Sequence, residues 1–276
     1  MASASTTTTT GTVTRDQLAA LSPRQIRGLI REGRWTGGTE GLARGYAQAN
    51  LIILPKEVAF EFLVFCQRNQ KPCPVLEITD VGQPFVRHMA DADLRTDLPY
   101  YTVYKNGEAI ADPGDITEYW RDDLVGFLIG CSYSFEQALL NAGIPLRHQD
   151  ENKIVSVYKS NIQCAASGRF AGPMVVSMRP IKRDQVTRAI QITSRFPATH
   201  GAPVHIGDPS LIGVDLSKPD FGTGRFELEE DDVPVFWACG GTPQAVAQTA
   251  KIDFMITHKI GYLLITDRLS ESIAAL

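Results

Sequence analysis

Ala47-Gln48-Ala49-Asn50-Leu51-Ile52-Ile53-Leu54-Pro55, then Lys56 to Asn69, then Pro74-Val75-Leu76-Glu77-Ile78-Thr79 decide the reading of the fold. The first run is short, apolar and closed by a proline, as a buried strand is. The second sets Val58, Phe62, Phe65 and Cys66 at helical spacing. The third is a short apolar run again. Strand, helix, strand in this order predicts a βαβ unit and hence a parallel sheet.

Working outward, Val233 to Trp237, a helix over Pro243–Lys251 and Phe254-Met255-Ile256 repeat that order. Ser22-Pro23 caps a helix that stops at Gly33. Tyr100 to Tyr104 and Asn106-Gly107 read as a strand and a hairpin turn. Ser134 to Asn141 reads as a helix closed by Gly143. From Lys153 the texture changes to strand, strand, helix: Ile154–Tyr158, Pro173–Met178 and Arg183–Arg195. An α/β protein is therefore expected, with a three-layer αβα body over residues 15–124 and 201–276. A smaller two-layer α+β domain over 125–200 is inserted in it, and a disordered tail covers 1–14. No internal repeat is visible.

Composition narrows the function. Of 276 residues 43% are hydrophobic and 21% charged, which suits a globular core. The net charge is −4 with no basic run, so no nucleic-acid partner is expected. No apolar run approaches the ~18 residues of a membrane helix, so no membrane partner is expected either. Met1 to Thr14 lacks the apolar core of a secretion signal. Cys66, Cys73, Cys131, Cys164 and Cys239 are odd in number and form no CxxC pair, which argues for free thiols in a reducing compartment. A cytoplasmic location is expected, with an organellar one as the weaker alternative.

Four segments carry chemistry. In His200 to Pro209, Asp208 falls beyond a short strand, where open α/β sheets bind ligands. It is a candidate base, set against the plainer role of capping a turn before Pro209. His205 is a candidate acid or base because imidazole titrates near neutrality. His200, His205 and Asp208 have poor spacing for a metal, so none is expected. Cys239-Gly240-Gly241-Thr242-Pro243-Gln244 opens a helix, with Thr242 as N-cap and glycines that let an anion approach free N–H groups. Gly130-Cys131-Ser132-Tyr133-Ser134-Phe135-Glu136 is a second helix entrance, with Ser134 as N-cap and Gln137 completing a capping box. Lys159 and Asn161 end one strand and Arg179 another; arginine suits bidentate carboxylate recognition.

Taken in order, Gly130 to Glu136, Gly172 to Pro180, His200 to Pro209, Val233 to Gly240, Ile256-Thr257-His258 and Ile265-Thr266-Asp267 resemble a hydro-lyase family that includes D-glutamate cyclases. The resemblance implies a lyase without cofactor that closes D-glutamate to 5-oxo-D-proline and water by general acid/base catalysis. It implies Asp208 or His205 as base, with His258 and Asn161 as orienting groups. Arg179 and Lys159 would clamp carboxylates, and the neighbourhoods of Ser132, Ser134, Gly240 and Thr242 would hold negative oxygen. The implied partner is a small carboxylate or amino acid; a homo-oligomer is left open. Two departures stand out. Tyr158-Lys159-Ser160-Asn161 replaces the family's Tyr-Arg-Thr-Asn, and Lys259, Ile260 and Tyr262 interrupt its Thr-His-Ala-Pro-Gly-His. Either change can alter substrate choice. The alternatives are a non-catalytic pocket for a small carboxylate on the same fold, and a thiol hydrolase using Cys131 or Cys239.

Overall fold

The computed structural model describes residues 14–151, 153–222 and 226–275. In chain order its elements are α1 (Arg15–Ala19), α2 (Pro23–Arg31), β1 (Tyr46–Pro55), α3 (Lys56–Arg68), β2 (Val75–Ile78), β3 (Phe85–Val86), β4 (Ala92–Asp93), β5 (Tyr101–Lys105), β6 (Glu108–Ala111) and β7 (Leu124–Gly130). They continue with α4 (Tyr133–Asn141), α5 (Arg147–Asp150), β8 (Ser156–Gln163), β9 (Pro173–Lys182), α6 (Val186–Ser194), β10 (His205–Ile206), β11 (Asp232–Ala238), α7 (Gly241–Thr249), β12 (Phe254–His258) and β13 (Leu264–Leu269). The expected tail lies outside the described residues except for Thr14, whose side chain caps α1. No described helix is long and apolar enough to cross a membrane.

The mixed α/β character stands, but the parallel sheet does not form. Every strand pairing among the described residues is antiparallel. β1 and β2 flank α3 and run in the same direction, yet β7 lies between them and bonds to both. Local pattern shows that two strands are joined by a helix; it cannot show that a later strand slots between them. Likewise β11 and β12 flank α7 but lie in different sheets. Sheet membership also cuts across residues 125 and 200: β7 joins the first sheet, while β10 and β11 join the second with β8 and β9.

The first sheet contains the order β2-β7-β1-β12, extended by β5 and β6, with β13 also on β1. The second has the order β10-β11-β9-β8. The two orders are the same. Each is the sheet of a β-α-β-β-α-β unit, the split ferredoxin-like pattern. β1-α3-β2 with β7 builds one unit, and β9-α6-β10 with β11 builds the other. The closing helix and strand are exchanged. α4 and β8 follow β7 but complete the second unit, whereas α7 and β12 follow β11 and complete the first. The cores confirm the exchange. Phe62 and Phe65 of α3 pack with Val246 and Ala247 of α7 on β1 and β7. Phe135 and Leu139 of α4 pack with Ala189 of α6 on Val235 and Trp237. The chain is thus an internal duplication, contrary to the expectation of no repeat.

The register makes the equivalence residue-specific. Ala49 pairs with Gly130, and Val176 pairs with Ala238. Cys131 and Cys239 come next, so they occupy matching positions. Ser134 then matches Thr242, and Glu136 matches Gln244. The contacts agree. The Ser134 hydroxyl accepts from the Gln48 N–H at 3.0 Å and donates to the Gln48 carbonyl at 3.3 Å. The Thr242 hydroxyl does the same with Val175, at 2.9 and 3.2 Å. Both residues were expected to be N-caps. Instead the helices start at Tyr133 and Gly241, and each hydroxyl pins its helix to a strand of the neighbouring unit.

Candidate functional site

The two strand-to-helix junctions, Gly130-Cys131-Ser132 and Cys239-Gly240-Gly241, meet at a small cavity of about 40 Å³. Ser132, Tyr133, Cys239, Gly241, Gln244 and His258 line it, with an apolar wall that includes Val155, Phe221 and Leu263. The amino ends of α4 and α7 both open here. Their helix dipoles favour negative charge, although the Ser134, Phe135, Gly241 and Thr242 N–H groups already bond within their own turns.

One side of the cavity is backed by a buried ionic chain. Arg179 and Glu136 are each almost fully buried and form an ion pair. The Arg179 guanidinium also donates to Ser177 Oγ at 3.1 Å and to Ser132 Oγ at 3.0 Å, and it lies against the adjoining Phe135 and Trp237 rings. Because Ser132 Oγ accepts from Arg179, its own proton is available to the cavity. His148 Nε2 approaches Glu136 Oε1 at 3.0 Å and Glu40 Oε1 at 2.8 Å. Burial alone would raise the Glu136 carboxyl, but the Arg179 and His148 charges outweigh it and hold its pKa at about 2. Burial would lower His148; the two carboxylates overcome that and raise it to about 9. Glu40 moves upward, because burial outweighs its contact with His148 and the nearby Glu136 charge adds to the effect.

The other side is neutral. The Gln244 amide donates to the Tyr104 hydroxyl and to Thr257 Oγ1, both at 3.0 Å. Thr257 spends its own proton on the His258 carbonyl, so its oxygen must accept. That fixes which end of the Gln244 amide faces it. Gln244 Oε1 is left buried without a partner among the described residues, in a residue that lines the cavity. His258 Nδ1 lies 3.2 Å from both the N–H and the carbonyl of Leu51, leaving Nε2 as the ring atom for a ligand. Burial lowers its pKa to about 4, so the imidazole is neutral near pH 7.

The residues singled out from sequence separate into three groups. Ser132, His258 and the Gly240–Gly241 turn gather at the cavity, with Arg179 behind Ser132. Ser134 and Thr242 are buried beside it but are spent on strand backbone. Asp208, His205, Lys159 and Asn161 lie elsewhere. Asp208 is exposed and caps the turn Pro209–Ile212 through the Ser210 N–H, the plainer of its two expected roles. His205 Nε2 contacts the Asp208 carbonyl at 2.7 Å. Lys159 is exposed over the Phe221 ring, and Asn161 donates to the Leu211 carbonyl at 3.4 Å. A metal set does not gather around His200, whose Nδ1 lies 2.9 Å from the Lys71 carbonyl. Among the described residues, Glu40, Glu136 and His148 are the group with metal-ligand spacing, but Arg179 already neutralises Glu136. Burial pushes the Cys131 and Cys239 thiols up, against a ready thiolate.

Gln244, Glu136, His148 and Asn50 were missed as site residues. The usable signal was the matched pattern Val125 to Cys131 and Val233 to Cys239, each followed by Ser or Thr and then Glu or Gln.

Comparison with known proteins agrees with these segments. A family model described as D-glutamate cyclase matches residues 125–267. A "Putative hydro-lyase" of Bacillus licheniformis is 57% identical, covering 93% of this chain and 98% of its own. "Putative hydro-lyase YcsI" of Bacillus subtilis is also 57% identical, over 93% and 100%. A relative of the same description from Stutzerimonas stutzeri is 55% identical, over 93% and 97%.

Proposed function

Since this chain belongs to the D-glutamate cyclase family of hydro-lyases, we propose that it expels water from a small amino acid carboxylate, with D-glutamate as the leading substrate, at the cavity between α4 and α7. The observation that carries the reading is the cavity's two-sided polarity. Ser132 at the start of α4 offers a hydroxyl donor on one side, and Gln244 Oε1 is an acceptor without a partner among the described residues on the other. A molecule with a carboxylate and an amine within a few bonds satisfies both.

In the cyclising direction neutral His258 Nε2 accepts a hydrogen bond from the substrate nitrogen and passes its proton on toward the departing oxygen, with Gln244 Oε1 holding a remaining N–H. The freed amine attacks the side-chain carboxyl carbon, forming the ring C–N bond. The resulting oxyanion is met by the Ser132 hydroxyl, with the dipoles of α4 and α7 favouring its charge. One oxygen then leaves as water, taking the protons shed by the nitrogen. Removing a donor aimed at such an oxyanion costs roughly 10²–10³ in kcat. A positioned acid/base group contributes roughly 10²–10⁴. Arg179 is a positioning residue, acting through Ser132.

The test is a mass-spectrometric assay of the purified protein with D-glutamate, L-glutamate and both 5-oxoprolines. Turnover is expected to fall by about 10²-fold or more in Ser132→Ala and His258→Gln, and to fall in Gln244→Leu. Ligand-induced thermal stabilisation without turnover of any of the four compounds would instead mark a binding protein.

A further inference from the structure

A second recess opens on the opposite side of Ile154 and Gly261, residues that line both it and the catalytic cavity. Its volume is about 160 Å³, well above the ~10–15 Å³ that one water needs by the same measure. Arg15, Arg44, Lys153 and His148 line it, with Glu40 as the acid in its wall. Arg15 is oriented by the Glu40 carbonyl at 2.5 Å and the Gly38 carbonyl at 3.4 Å. Lys153 has Glu151 at 2.5 Å on an exposed edge. Arg15 and Lys153 thus bring positive charge to the recess, and Glu40, the acid in its wall, is shifted by burial toward its neutral form.

The decisive feature is His148. It is 1% exposed, its Nε2 is spent on Glu40 and Glu136, and its Nδ1 is buried with no hydrogen-bond partner among the described residues. Both ring nitrogens carry protons in the charged form, so Nδ1 is a donor without an acceptor. Buried donors are rarely left so.

We infer that this recess is a second anion site, separate from the reacting ligand, that takes a small carboxylate or inorganic phosphate against Arg15, Lys153 and the His148 Nδ1–H. Negative oxygen there completes the valence of His148 and meets the Arg15 and Lys153 cations. The site shares none of Ser132, Gln244 or His258. Its occupant touches the catalytic side through His148, Glu136 and Arg179, the chain that ends on Ser132.

The experiment is a titration of the full chain with sodium phosphate and, separately, sodium acetate, at constant ionic strength. Binding is followed by calorimetry and by the ¹⁵N resonances of the His148 ring. Saturable binding of either anion with movement of His148 Nδ1 is the expected result, and which anion binds identifies the chemistry. Lys153→Met should weaken binding about tenfold, as loss of a charge-assisted contact does. Lys218→Met, which removes a cation paired with Asp215 on the exposed surface, should leave it unchanged. The inference is overturned if neither anion moves His148, or if Lys153→Met and Arg15→Gln bind as tightly as the parent. The readout needs no turnover, so its failure is distinct from failure of the cyclase reading.

Discussion

Replacing Glu136 by Gln is the sharpest test of how the buried ionic chain is built. The substitution keeps shape and removes one negative charge that is 2% exposed. Arg179, 1% exposed, then loses its ion-pair partner, and His148 retains only Glu40. Breaking one member of a buried pair costs about 3–5 kcal/mol, because the surviving charge stays desolvated. That is a large part of the roughly 5–15 kcal/mol of a typical domain.

The pH dependence of the parent protein gives an independent handle. His148 is raised from 6.5 to about 9, so its contribution is fully present below pH 6.5 and is lost as pH rises through 9. An elevation of that size corresponds to about 3 kcal/mol. Glu136 is depressed from 4.5 to about 2, so its contribution is present above pH 4.5 and is lost as pH falls through 2. Both describe the same contacts and are not added. Urea unfolding at pH 6, 7.5 and 9.5 measures the effect. The parent should lose stability between the first and last of these, while Glu136→Gln should start several kcal/mol lower with a flatter alkaline slope. Equal stability within ~0.5 kcal/mol at pH 6, the range of a plain surface substitution, together with an unchanged slope, would refute the reasoning.

Ser134→Ala and Thr242→Ala should each destabilise by about 1–3 kcal/mol, since each strands a buried strand N–H; urea midpoints check this, and both values should be similar because the positions are equivalent. Gly240→Ala places a Cβ 2.0 Å from Asn50 Nδ2, and Asn50 is tied to the Gly130 carbonyl at 2.8 Å. A cost of about 1–3 kcal/mol and a fall in kcat are expected by thermal unfolding and turnover. Asp208→Asn should leave kcat within about twofold, because surface changes away from the site act weakly; a tenfold loss would restore Asp208 to the chemistry.

Much of the local structure was legible. The Ser22 N-cap with Pro23 opening the helix, the Asn106-Gly107 turn with both φ positive and the Gly143 helix stop appear where the residues indicated. The strand assignments also largely held, since short apolar runs bury themselves however they pair. What failed was pairing. An apolar run of the β1 kind is the pattern of a central strand, parallel or antiparallel, and nothing in it records that β7 will insert beside it. Strand-tip logic then misplaced Asp208, because it assumed a parallel sheet whose carboxyl ends share one edge. The entrances at Gly130 and Cys239 do open helices, because a helix start depends on a few adjacent residues and not on the sheet.

The duplication explains why those two entrances meet and why they differ. Exchange of α4-β8 for α7-β12 forces both chain crossings through the boundary between units, so equivalent helix ends face one cavity. A strict duplicate would present two identical halves and suit a symmetric ligand. Here Glu136, its Arg179 partner and Ser132 stand opposite Gln244, Ile52 and Gly240. One half fixes a charged chain that turns a hydroxyl proton toward the cavity, and the other a neutral amide that offers a lone pair. Symmetry of backbone brings the donors together, and its breakage at these side chains gives the cavity a direction. A ligand with a carboxylate at one end and an amine at the other can satisfy it in one orientation only.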